Sequence, residues 1–197
     1  FWFCLFVAVD FDPLDGVTFT RDGPCGAGNK KNRQQGDDQG MLHCVIGLSK
    51  GREGEFQYSF GHFGKDKDGF IRPQSMAISP LTGNLFITDA GNHRIVERTP
   101  TGAFVQIIAS AGRDQGEVLF PYGIVFDSSD TFLVCEFGNN RLQRFSTEGE
   151  SLEVFGGAGD VAGLFKTPWA VVLSGDELIV ADTGNNRLQR LPDMMGL

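Results

Sequence analysis

Several residue types and patterns are scarce in these 197 residues, and each scarcity closes off a class of function. Histidine occurs three times, as His43, His62 and His93, and no His-x-His spacing joins any two of them. That leaves no zinc-ligand pattern to carry metal chemistry. The four cysteines, Cys4, Cys25, Cys44 and Cys135, form no C-x-x-C pair. A zinc ribbon or a thiol redox motif is therefore unsupported, and the spacings match no small secreted disulfide framework. No apolar run reaches the ~18 residues of a membrane span. The most apolar segment, "FWFCLFVAV" at 1–9, reads as a buried strand. It has no initiator Met and no basic n-region, so a signal peptide is unsupported and the chain reads as a fragment of something longer. The expected compartment, given no signal and no disulfide pattern, is the cytoplasm.

Positive charge is also short. Lys and Arg number 17 against 25 Asp and Glu, a net charge of −8. An acidic balance opposes binding to a phosphate backbone, which needs a basic surface. The one basic run, "GNKKNR" at 28–33, reads as a solvated loop. No Ser-His-Asp or Cys-His arrangement can be assembled, and no Gly-Lys-Ser/Thr follows a strand. The chain is thus expected to be no enzyme and to hold no metal and no cofactor.

Glycine, by contrast, is abundant: 27 residues, about twice the usual ~7 % share. Eighteen Phe accompany only two Tyr and two Trp. Much Gly and Phe with few helix formers predicts many short strands joined by tight turns. An internal repeat organises them. "DAGNHRIVER" (89–98), "EFGNNRLQR" (136–144) and "DTGNNRLQR" (182–190) are copies of one polar hairpin. Arg94, Arg141 and Arg187 lie 47 and 46 residues apart; Pro73, Pro121 and Pro168 lie 48 and 47 apart. Each copy opens with a Gly-containing loop, Phe and Pro: "GKDKDGFIRP", "GRDQGEVLFP", "GDVAGLFKTP". Four short strands then follow per ~46 residues, the period and strand count of a β-propeller blade. The expected fold is all-β: a partial propeller of four-stranded blades. Three clear blades span about 60–110, 111–156 and 157–197, the last stopping after its third strand. Residues 1–59 read as a degenerate, insert-bearing fourth blade, in which "FDPLDGVTFT" (11–20) parallels "ISPLTGNLFIT" (78–88).

In Asp-x-Gly-Asn-x-Arg the Gly and the Asn are expected to take up the positive φ of a tight connection. Asp89, Glu136 and Asp182 end the second strand; Arg94, Arg141 and Arg187 open the third across the turn. Each carboxylate should accept from its Arg and from turn amides. With Asn92, Asn139 and Asn185 these form structural turn pairs, because a catalytic residue is usually present once and a fold device recurs in every blade. Glu136, one methylene longer, should hold its turn less tightly. His93, in the place of Asn140 and Asn186, reads as an exposed turn residue. Cys135 stands where the other copies carry Thr88 and Ala181 and reads as a small buried residue. Two residues after each Pro stand the small Ser75, Gly123 and Ala170, as expected of strands crowding an axis. One residue after it stand Gln74, Tyr122 and Trp169, varied and partly aromatic, as a binding surface at a channel mouth would be.

"GLFKTPWAVVLSGDELIVADTGNNRLQRL" closely resembles the NHL repeat, whose pattern runs Gly-x-Phe-x-x-Pro, apolar strand, Asp-x-Gly-Asn-x-Arg-apolar-Gln. The resemblance is strong over 60–197 and weak over 1–59. It implies a propeller, usually six-bladed, that presents a rigid face to a protein partner. In the tripartite-motif members this is the substrate-recruiting end of a ubiquitin ligase. It also implies two alternatives. Some NHL propellers bind RNA; here Tyr122 and Trp169 could stack on bases while Arg72 and Lys166 meet phosphates. A peptide-amidating lyase shares the fold and uses metal ions with His ligands, which this chain supplies poorly.

Overall fold

The computed structural model describes residues 9–12, 16–19, 59–128, 130–175 and 177–192. The chain divides into two compact units, Phe1–Phe60 and Gly61–Leu197. In the first, β1 (Val9–Asp12) pairs antiparallel with β2 (Gly16–Phe19). The other residues of the expected degenerate blade, 1–8, 13–15 and 20–58, lie outside those described.

The second unit is built from three blades. Blade one holds β3 (Pro73–Ile78), β4 (Leu85–Asp89), β5 (Arg94–Arg98) and β6 (Phe104–Ala111). Blade two holds β7 (Pro121–Phe126), β8 (Thr131–Glu136), β9 (Arg141–Ser146) and β10 (Ser151–Gly156). Blade three holds β11 (Pro168–Ser174), β12 (Glu177–Asp182) and β13 (Arg187–Pro192). Within each blade, each strand pairs antiparallel with the next in sequence. The loop before each blade also makes a short parallel contact with the end of the chain before it. His62–Phe63 pairs with Gly69–Phe70, Ser110–Ala111 with Glu117–Val118, and Ala158 bridges Phe165. Among the described residues no helix is long and apolar enough to cross a membrane.

Burial along the second strand reports what flanks each blade. β4 is buried throughout, as is β8 after its first residue, whereas β12 alternates between half-buried and buried. A strand covered on both faces can be apolar at every position; one covered on a single face buries alternate side chains. Two apolar layers result. Between blades one and two, Phe86, Ile95 and Ile108 meet Ile124, Phe132, Val134 and Phe145. Between blades two and three, Leu133, Cys135 and Leu142 meet Phe165, Val171, Leu178 and Val180. Cys135 is a buried free thiol, pushed up by burial and by the nearby Glu136 and Asp182 carboxylates.

First strands of neighbouring blades lie side by side without pairing. A Cβ on Gly123 would stand 2.8 Å from the Ala170 Cα, so the small residues expected near the axis are set by backbone-to-backbone approach. The Thr88 hydroxyl, 2.7 Å from the Tyr122 carbonyl oxygen, ties the first junction there.

Candidate functional site

The recurring hairpin is a clasp between each blade and the loop that leads into it. Arg94 Nε donates to Asp89 at 2.9 Å, Arg141 Nε to Glu136 at 2.7 Å and Arg187 Nε to Asp182 at 2.8 Å. The rest of each guanidinium points at the preceding loop. Arg94 donates to the carbonyls of Lys65, Asp66 and Gly69; Arg141 to Arg113, Asp114 and Glu117; Arg187 to Asp160, Val161 and Leu164. The planar five-donor fork suits this task, and a point-charge ammonium could not reach so many carbonyls. The Asn side chains bridge the same two partners. Asn92, Asn139 and Asn185 donate both to their own carboxylate and to the carbonyl of Gly64, Gly112 or Gly159.

Two details depart from expectation. The amides received by the carboxylates belong to the loop and not to the turn: Ile71 N at 2.7 Å, Leu119 N at 3.2 Å and Lys166 N at 2.7 Å. The left-handed residues are His93, Asn140 and Asn186, with φ of 52°, 55° and 54°. The glycine before them is required for space instead. A Cβ on Gly91, Gly138 or Gly184 would stand 2.5, 2.8 or 2.6 Å from the carbonyl oxygen of Ile71, Leu119 or Lys166. That carbonyl accepts the glycine's own N–H in each blade. Glu136 loosens its turn in one respect. Its loop amide is farther away than those of the two aspartates, yet its bonds to Arg141 and Asn139 are as short as theirs.

His93 is not the exposed turn residue expected. It is half-buried, its Nδ1 accepts the N–H of Phe120 at 3.1 Å, and its ring meets the Phe120 ring edge-on at 4.2 Å. Asn140 does the same one junction on, its Oδ1 accepting Thr167 N at 2.7 Å. The recipients are themselves a repeated device. Arg72, Phe120 and Thr167 each precede the blade's proline and each has a positive φ, 54°, 47° and 45°. The Phe of the loop pattern is carried in blade two by Val118, fully buried like Phe165 and Phe70; Phe120 occupies the strained corner instead. Gln143 and Gln189 complete the clasps of blades two and three. Each donates to its carboxylate and to a loop carbonyl, and each accepts a glycine amide, Gly116 N or Gly163 N.

Burial raises the Asp89 and Glu136 carboxyls despite their donors. In Asp182 burial again pushes upward, but the Lys166 amide with Asn185, Arg187 and Gln189 outweighs it and the net shift is downward. None of the three carboxylates has solvent-exposed surface. The difference lies in the mass of protein around them, because blade three carries no further blade among the described residues.

The residues expected to bind a partner are brought together only in part. Tyr122 is buried, 4 % exposed, and stacks on Phe137 with ring centroids 4.7 Å apart. Arg72 donates to its hydroxyl at 2.9 Å. Trp169, 42 % exposed, stands edge-on to Tyr122 at 4.8 Å and to Phe137 at 6.0 Å. Lys166 is exposed and its backbone is locked in the third clasp. Gln74 is half-buried on β3. Tyr122 therefore serves as the base under Trp169 and offers no free face of its own. Phe137, Asn140, Gln143 and Gln189 were not singled out from the sequence; aligning the repeats column by column identifies the last three, whereas Phe137 varies with Ala90 and Thr183. Among the described residues no group of three or more His, Cys, Asp or Glu is placed to hold a metal ion.

Comparison with known proteins gives relatives for this arrangement. Peptidyl-glycine alpha-amidating monooxygenase A of Xenopus laevis is 29 % identical over 115 residues, 54 % of this chain and 12 % of that protein. Peptidylglycine alpha-amidating monooxygenase of Rattus norvegicus is 30 % identical over 91 residues, 43 % of this chain and 9 % of that protein. The chain thus spans about a tenth of the length of these relatives. Among solved structures, a catalytically inactive virginiamycin B lyase from Staphylococcus aureus with quinupristin aligns with a TM-score of 0.50 and 19 % identity, over 66 % of this chain and 40 % of that one. A nidogen/laminin complex aligns with a TM-score of 0.50 and 21 % identity, over 65 % and 46 %. At these identities the likeness is one of fold. The NHL repeat model matches residues 165–191, which hold the third clasp from Phe165 to Gln189. The same clasp is built three times, so one stretch matching the NHL repeat sits in an all-β fold like that of known propellers.

Proposed function

We propose that the chain is a non-enzymatic scaffold whose propeller face binds a protein partner. The observation that carries this is Trp169: a large, half-exposed indole held edge-on by two stacked rings. Rigid aromatic groups of this kind anchor protein interfaces because they bury much area and lose little freedom. Arg72 beside Tyr122, and Lys166 in the loop before blade three, add positive charge that suits an acidic or aromatic segment. The fold likeness to a nidogen/laminin complex supports a protein partner. Recruiting substrates to a ubiquitin ligase is the finer form of this reading, and it requires a ligase module in the same polypeptide or complex.

The test is selection of a displayed peptide library on the chain and on Trp169→Ala. Peptides should enrich on the native chain and lose about tenfold or more in affinity on the variant, the scale of an interface hot spot. Equal binding to both would remove Trp169 from the site. A single-stranded RNA probe that binds at low salt and loses affinity with Arg72→Ala and Lys166→Ala would favour the RNA alternative. The amidating monooxygenase relatives favour a second reading, a metal-dependent lyase acting on peptidylamidoglycolates. Stoichiometric zinc together with turnover of such a peptide would establish it.

A further inference from the structure

We propose that the junction between blades one and two is a proton-sensitive clasp, in which His93 holds the Phe120 corner only while its ring is neutral. The Phe120 N–H points at Nδ1, so that nitrogen must offer a lone pair and the ring proton must sit on Nε2. Protonation places a hydrogen on Nδ1 opposite another N–H, and two donors cannot share the bond. The next junction supplies an internal control. Asn140 occupies the same place in the repeat, has the same left-handed backbone and holds the equivalent Thr167 N–H at 2.7 Å. An amide oxygen does not titrate in this range, so that bond does not respond to acid.

Phe120 has reason to respond when the bond is lost. A non-glycine residue at φ 47° is strained and stays there only while its surroundings hold it. Phe120 is held by this amide bond, by its ring against His93 and by its carbonyl, which accepts Phe137 N. From Phe120 the chain passes through Pro121 to Tyr122, so the corner connects directly to the ring under Trp169. The elements packed near the imidazole carry charged groups, and the one that acts on it is Asp89. The His93 turn holds Asp89, paired with Arg94; the loop before blade one holds Arg72; the facing loop holds Glu117; the blade-two turn holds Glu136, paired with Arg141. Burial lowers the His93 pKa and outweighs the upward pull of Asp89. The sign follows: a group whose protonated form is disfavoured in the folded state contributes stability that is complete above the ordinary value of 6.5 and is lost as pH falls below it.

The experiment is nitrogen-15 NMR on the chain and on His93→Asn, which installs the residue found at 140 and 186. At about pH 7.5 the His93 ring should show Nδ1 as the unprotonated acceptor, the state expected of a neutral imidazole. As pH falls to about 5, protection of the Phe120 amide should drop about tenfold, the loss expected for one hydrogen bond, while the Thr167 amide keeps its protection. In His93→Asn the Phe120 amide should stay protected throughout. Three results would each overturn the proposal: a proton on Nδ1 at neutral pH, Phe120 protection that ignores pH, or the same pH response in His93→Asn. If the variant folds poorly, the ring tautomer and the contrast between the Phe120 and Thr167 amides in the native chain decide the matter.

Discussion

Blades two and three carry the same clasp, but one stands between neighbours and the other does not. Their bonds are nearly identical: Arg to carboxylate, Arg to three loop carbonyls, Asn to carboxylate and loop, Gln to carboxylate and loop. Their burial is not. Leu142 is 0 % exposed, whereas Leu188, in the same place, is 72 % exposed. The hydrogen-bonded device is internal to a blade and its own loop, while the apolar contribution belongs to the pair of blades. A propeller of this kind separates the shape of each unit from the force that joins units, as repeat architectures do.

The largest test of that separation is the guanidinium. Arg141→Ala leaves Glu136 buried without its cation and should cost about 3–5 kcal/mol in denaturant unfolding. Arg187→Ala acts on a side chain 30 % exposed and should cost less, about 1–3 kcal/mol. Equal losses would mean that the neighbouring blade does not matter to the clasp. Next come the apolar partners. Leu142→Ala should cost about 2–5 kcal/mol and Leu188→Ala within about 0.5 kcal/mol, read from the same unfolding curves. Near the axis, Gly123→Ala forces a methyl against Ala170 and should cost about 1–3 kcal/mol, with a shifted thermal midpoint as the readout. The smallest effect is in pH. The Asp182 carboxyl is lowered below 3.8, so its contribution is present above that value and is lost as pH falls through its folded value. Asp182→Asn should flatten the acid limb of the stability curve, and an unchanged limb would remove Asp182 as its source.

Much of this was legible in the sequence. The spacing of Pro73, Pro121 and Pro168 gave the blades, and the recurrence of Asp, Asn and Arg gave the clasp, because period and repetition survive in one dimension. Partners lying across a junction were harder to find. His93 acts on Phe120, which is 27 residues away and in the next copy, so a reading confined to one hairpin leaves it without a role. The need for the turn glycine is hidden in the sequence for a related reason. It comes from a loop carbonyl brought close by folding, and nothing inside the hairpin announces that approach. Tyr122 looked like a surface aromatic until Phe137 and Trp169, each from a different strand or turn, closed over it.

The arginine of each clasp bears on how the chain meets a protease. The loops before the blades are rich in glycine and carry Lys65, Lys67, Arg113 and Lys166, so by composition they invite tryptic nicking. The carbonyl oxygens at those four residues are already taken: Lys65 by Arg94, Lys67 by Arg98, Arg113 by Arg141 and Lys166 by the Gly184 amide. Arg72 is followed by proline, which trypsin does not cut. A peptide bond whose oxygen is held in this way cannot enter a protease's oxyanion hole until that hydrogen bond opens. The clasp thus guards the connectors as well as shaping the blades.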